Sequence, residues 1–199
     1  MRPRFVSSVL PLMCLVTAAL PSPLRAQATV DVWIDPGHGG FDKGNLGYDK
    51  VRVEKNVVFQ LSAHLYNSLG AIGYSSFITR LSDYYPTLSD RAAMASGDLA
   101  NINGDRGVCQ LFISMHLDAR DDASKLGTTT YYPQFKLYER KKNAVLISKQ
   151  MGETIHPKLM QNATLAFFGC NQDLHVLSRN YEVLRESTVP SILIESCML

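Results

Sequence analysis

The chain has 199 residues, 46% hydrophobic and 19% charged, enough for one domain with a sizeable core and too few charges for long disordered tails. Its formal charge of +2 owes everything to Arg2, Arg4 and Arg25; residues 1–28 hold no acidic residue, and without them the charge is −1. That excludes a basic nucleic-acid surface, and no internal repeat or low-complexity tract suggests a fibrous or solenoid protein.

Arg2 and Arg4 precede an apolar run over residues 9–20, followed by Pro21, Pro23 and Ala26-Gln27-Ala28. This is the pattern of a secretory signal peptide cut after Ala28, with an apolar run too short to span a bilayer. Residues 1–28 are read as the signal and 29–199 as the mature domain, with no stable membrane insertion. Three cysteines remain, Cys109, Cys170 and Cys197. An oxidising compartment permits one disulfide among them and leaves one thiol over. Cys109 opens an apolar run and is expected to pack in the core.

Residues 29–34 form the first expected strand, and the glycine-rich loop 35–52 follows with His38 near its start. Glu54 opens a helix whose apolar residues Val57, Val58, Leu61, Leu65 and Leu69 recur at helical spacing up to Gly70. A strand is expected over 73–79, then a loop with Arg80, Asp83 and Pro86, and a helix over 88–99 carrying Arg91. Residues 108–114 are almost wholly apolar, as in a buried parallel strand, and end at Met115-His116. Further strands are expected over 127–132 and 189–194, the latter ending at Glu195. Between them lie a helix over 137–155 closed by Pro157, an irregular segment 158–172, a short apolar run 174–177 and a helical turn 181–186. This alternation indicates an α/β three-layer sandwich: a mostly parallel central sheet of about six strands, flanked by helices.

His38, His116 and Glu195 each fall just beyond the C-terminal end of an expected strand. In a parallel sheet those ends share the edge at which ligands bind, and Glu54, at a helix start, can reach it. Two imidazoles and a carboxylate make a common catalytic zinc set, and a further carboxylate is then needed to move protons. Either Glu54 or Glu195 could fill either carboxylate role. His64 is expected on a helix surface, His156 at a helix end favouring the dipole, and His175 near a strand start. Arg80 and Arg91 are read as structural charges or loop-orienting groups, and Asp35 as a brace for a metal ligand.

A series of motifs then carries a resemblance: Asp35-Pro36-Gly37-His38-Gly39-Gly40, Asp42-Lys43-Gly44, Val53-Glu54-Lys55-Asn56 and Thr79-Arg80 with Asp83, Leu88 and Arg91. It continues through Phe112-Ile113-Ser114-Met115-His116, Gly127 with Tyr131-Tyr132, Val183-Leu184-Arg185 and Pro190-Ser191-Ile192-Leu193-Ile194-Glu195. In this order over nearly the whole mature chain they resemble the zinc-dependent N-acetylmuramoyl-L-alanine amidases, of the AmiC-like type. The resemblance implies His38, Glu54 and His116 as ligands of Zn2+ and Glu195 as the catalytic carboxylate. It implies hydrolysis of the amide between N-acetylmuramic acid and L-alanine in peptidoglycan; with the signal peptide, a monomer exported to the periplasm or cell envelope is expected. Past the glutamate the family usually continues with Gly-Phe, a Ser-Asn pair and a helix; Ser196-Cys197 stand here, so that helix is expected to be missing. The alternatives are a catalytically impaired cell-wall binding domain and a zinc-dependent carbohydrate N-deacetylase.

Some members carry an inserted helix after the strand matching residues 127–132, which plugs the metal site. Here Pro133 leads within a few residues into the next helix and leaves no room for a long plug. An open site is expected, so the purified mature chain should digest peptidoglycan unaided. A requirement for an added activator would overturn this.

Overall fold

Buried runs of β-branched and aromatic residues alternate with helices in a computed structural model that describes residues 28–47, 50–118, 127–134, 141–161 and 172–198, the last two residues as backbone only. The elements are β1 (Thr29–Pro36), α1 (Glu54–Ala71), β2 (Ser76–Ile78), α2 (Leu88–Ala95), β3 (Val108–Asp118), β4 (Gly127–Pro133), α3 (Lys142–Met160), β5 (Gln172–Arg179), α4 (Glu182–Glu186) and β6 (Ser191–Met198). They form a six-stranded sheet of order β2-β1-β3-β6-β4-β5. All neighbouring pairs are parallel except β4 with β6, so β4 and β5 run against the other four strands.

Helices cover both faces, giving the three layers expected. On one face Trp33, Phe112, Tyr131 and Leu193 pack with Met94 and Ala95 of α2 and with Val183 and Leu184 of α4. On the other, Ile34, Ile113, Ile192 and Ile194 meet Leu65 and Leu69 of α1 and Met151 and Ile155 of α3. The central strands are buried on both sides, which is why their sequences read as continuous apolar runs rather than alternating ones. Cys109 is a free, buried thiol whose pKa burial pushes up to about 12, an inert core residue. Cys170 lies outside the described residues.

Several boundaries differ from expectation. β3 and β6 extend past their apolar cores, so His116 and Glu195 lie within strands rather than beyond them. α2 starts with a capping box between Thr87 and Asp90 and stops at Ala95 rather than at residue 99. Gly97 adopts φ +77° there, and the Asp98 and Leu99 amides turn back to the Ala93 carbonyl. α3 continues through Pro157 to Met160; Pro157 and Glu153, whose carbonyl the proline cannot pair, are both exposed residues. The first residues of the helix expected from 137 lie outside the described residues. The apolar run at 174–177 is the middle of β5, whose edge position lets polar residues flank it.

Phe112 is 0% exposed at the centre of the sheet. Phe112→Ala should lower the unfolding free energy by about 3–5 kcal/mol, read from denaturant titration, through lost transfer energy and the cavity left behind. A loss below about 1 kcal/mol would show that this core collapses to fill the space.

Candidate metal centre

β1 delivers the chain to a loop that two buried arginines hold in shape. Arg80 donates to the carbonyls of Pro36, Gly37 and Lys55 at 3.0, 3.0 and 2.7 Å. Arg91 donates to those of Pro86, Pro36 and His38 at 3.1, 2.8 and 2.6 Å. Both guanidinium groups are almost wholly buried, and the single carboxylate among them is Asp35, 2.6 Å from Arg91 Nη1. Thr79 and Ser114 donate hydroxyls to the same carboxylate at 2.6 and 2.7 Å. Burial pushes the Asp35 carboxyl up, but Arg91 and the two hydroxyls outweigh it and hold it below its ordinary value. The two arginines therefore orient the loop, as expected. Asp35 touches no candidate ligand: it braces Arg91, which in turn holds the His38 carbonyl.

His38 sits at φ +60°, a left-handed conformation that a non-glycine residue holds only where its surroundings over-determine it. Its Nδ1 pairs with Asp42 Oδ2 at 2.9 Å, which turns Nε2 toward Glu54 Oε1 at 3.0 Å. Gly37 allows the loop to cross β3, because a Cβ there would run into the His116 ring. Gly44, at φ +64°, turns the chain where a Cβ would meet Glu54 Oε2 at 2.6 Å. Lys55 fastens the outer side of the loop, donating to the Gly40 carbonyl and to Asp83 at 2.8 and 2.6 Å.

Glu54, the first residue of α1, is 1% exposed. Asn45 donates to its Oε2 through the backbone amide and the side chain at 2.9 and 2.8 Å, and the Leu117 amide donates to Oε1 at 2.9 Å. His116 Nδ1 lies 3.1 Å from Glu54 Oε1 and 3.1 Å from His38 Nε2. Burial raises the Glu54 pKa, but the two imidazoles and the Leu117 amide outweigh it and keep the group ionised. Burial likewise lowers that of His38, and Glu54 and Asp42 reverse this to a net rise. One donor atom from each of His38, Glu54 and His116 lies within 4.8 Å of the other two. Imidazole and carboxylate donors converging this closely, two of them fixed by outer hydrogen bonds, fit a zinc-type ion.

Glu195 stands in register with His116 on the neighbouring parallel strand and with Thr129 on the antiparallel one. Paired residues share a face, so the three side chains form a row across β3, β6 and β4. Glu195 Oε2 is buried without a hydrogen-bond partner. Burial is the main cause that raises the Glu195 pKa to about 7; His116 lowers it, and the charges of Glu54 and Asp118 raise it further.

The structure thus brings His38, Glu54, His116 and Glu195 together from four parts of the chain. His64 is exposed on α1 as expected. His156 is no dipole partner but a buried clamp, bound to Thr130 Oγ1 at 2.9 Å and Asp173 at 3.0 Å. His175 is exposed, near Asp173 at 3.2 Å. Sequence reasoning gave no role to Asp42 or Asn45. The usable signal was their place: short polar side chains in the loop between two candidate ligands.

The N-acetylmuramoyl-L-alanine amidase family profile matches residues 32–199. The probable cell wall amidase LytH of Staphylococcus epidermidis is 30% identical over 175 residues, 87% of this chain and 48% of that protein. N-acetylmuramoyl-L-alanine amidase LytC of Bacillus subtilis is 29% identical over 168 residues, 84% of this chain and 29% of its own length. The chain thus spans about half the length, or less, of these curated relatives. An N-acetylmuramoyl-L-alanine amidase structure from Clostridium difficile 630 superposes with a TM-score of 0.66 at 29% identity, covering 85% of this chain and 80% of that one. The catalytic domain of CwlV from Paenibacillus polymyxa var. colistinus has the same fold, with a TM-score of 0.62 at 22% identity over 85% of this chain and 80% of its own.

Asp35→Asn should leave Arg91 buried without its counter-charge, at a cost of about 3–5 kcal/mol in stability. The depressed Asp35 pKa fixes the pH dependence. The carboxylate's contribution is full above its unfolded value of about 3.9 and is lost as pH falls below it. Denaturation at several pH values should therefore show a shallower acid limb in Asp35→Asn; an unchanged limb would contradict the assignment.

Proposed function

The chain belongs to the N-acetylmuramoyl-L-alanine amidase family, and we propose that it is a zinc hydrolase that cuts the amide joining N-acetylmuramic acid to L-alanine in peptidoglycan. One observation carries this reading: three ligand-type atoms converge beside a buried carboxylate that has an unpaired oxygen. His38, Glu54 and His116 would hold the ion. When bound, zinc supplies Lewis acidity, polarising the scissile carbonyl and acidifying water.

The protein's own part is positioning and proton transfer. Asp42 and the arginine-held carbonyls aim His38, and Asn45 aims Glu54. The Glu195 carboxylate takes a proton from the attacking water as its oxygen bonds to the carbonyl carbon. It then returns that proton to the nitrogen as the C–N bond breaks, freeing an L-alanine amine. A carboxyl with a pKa near 7 suits both halves of that exchange, and a neighbouring cation would draw the value down toward the ionised form. Export fits the substrate: residues 1–28 serve as the signal and the domain acts in the cell envelope. Among the described residues no helix is long and apolar enough to cross a membrane.

Incubation with purified peptidoglycan should release stem peptides bearing an L-alanine amino terminus, and a chelator should stop it. Released acetate would indicate a deacetylase, and binding without products a cell-wall binding module. Glu195→Gln should lose turnover by at least about 100-fold and keep about one zinc per chain. Loss of the metal in that variant would make Glu195 a ligand.

A further inference from the structure

Buried polar side-chain atoms are almost always paired, so each exception asks for an explanation. Among the described residues Thr129 Oγ1 and Glu195 Oε2 are two such exceptions. They belong to residues directly opposite each other on β4 and β6. Side chains of an antiparallel pair share a face, with Cβ atoms roughly 4.5–5.5 Å apart. Thr129 is 1% exposed. Its neighbours on the strand are occupied differently: Thr130 binds His156, from the opposite face. Tyr131, two residues on and on the Thr129 face, packs in the core.

A threonine hydroxyl both donates and accepts, whereas an ionised carboxylate only accepts. The two unpaired oxygens are therefore complementary: the hydroxyl can donate to the carboxylate, and atoms this inaccessible leave no room for a water between them. On the other side of Glu195 lies His116 in the same row. A carboxylate tied at Oε2 on the β4 side presents its other oxygen toward the cluster.

We propose that Thr129 is a positioning residue whose hydroxyl turns to donate to Glu195 Oε2, fixing the carboxylate for proton transfer. This rests on the amidase reading for its effect on turnover but not for the link itself. Thr129 does not touch substrate, so its loss acts through Glu195. Misplacing a reacting group by about 1 Å can cost about 100-fold in rate.

The test combines kinetics with a double-mutant cycle on the zinc-loaded protein. On a soluble muropeptide that retains its stem peptide, Thr129→Val should lower kcat by about 10- to 100-fold with KM within about twofold. Thr129→Ser, which restores a hydroxyl, should recover most of the loss. In thermal unfolding, Thr129→Val should shift Tm by roughly 2–4 °C in the wild-type background and by much less in Glu195→Met. Additive Tm shifts would overturn the link whatever the activity. Coupled shifts with unchanged kcat would make the pair purely structural and overturn the positioning role, as would a higher KM at constant kcat. A wild-type chain that holds zinc and releases no stem peptide would bring down the amidase reading instead; the cycle would still decide the link.

Discussion

Asp35 and Arg91 form the contact on which the rest of the centre depends. Two guanidinium groups and the Asp35 carboxylate are buried against the loop that carries His38. Such a burial is costly unless every donor and acceptor is met. Here the balance is struck with backbone: the carbonyls of Pro36, Gly37, His38, Lys55, Ser82 and Pro86 take up most of the remaining donors. The planar guanidinium, with five donors in a fixed fork, is what makes this possible, and lysine could not replace it. The start of the glycine-rich loop is thereby tied down at three successive carbonyls, those of Pro36, Gly37 and His38.

The centre thus has two halves with different mechanics. His38 and Glu54 belong to a loop and a helix start, and side-chain hydrogen bonds set their aim. His116, Glu195 and Thr129 belong to adjacent strands, and the backbone ladder sets theirs. Catalytic geometry tolerates errors of only about half an ångström. A ladder places His116 and Glu195 side by side, with Thr129 as the proposed side-chain partner of Glu195, whereas the loop half needs Asp42, Asn45, Arg80 and Arg91.

The sequence made much of this legible. The buried runs marked the central strands, and helical spacing marked α1. The parallel topology then brought His38, His116 and Glu195 to one edge. What stayed hidden was set by tertiary context. β3 continues through Met115-His116-Leu117-Asp118 because β6 pairs with it there, and no local propensity announces that. Asp35 braces His38 only at one remove, through Arg91, a partner 56 residues away that no local pattern points to. His156 looked terminal because Pro157 follows it, but an exposed proline near a helix end need not stop the helix. Asp42 and Asn45 were invisible as braces, since short polar residues in a glycine-rich loop also suit plain turns.

The strand order has a kinetic consequence. β6 follows the other five strands in sequence yet lies between β3 and β4. The sheet cannot close until that strand inserts, and pairing of this non-local kind is slow. Before β6 docks, His38, Glu54 and His116 can already come together, but Glu195 cannot join them. The strand that brings Glu195 beside the three ligand candidates is the same one that closes the sheet. Assembly of the full set of His38, Glu54, His116 and Glu195 is therefore tied to the last step of sheet formation.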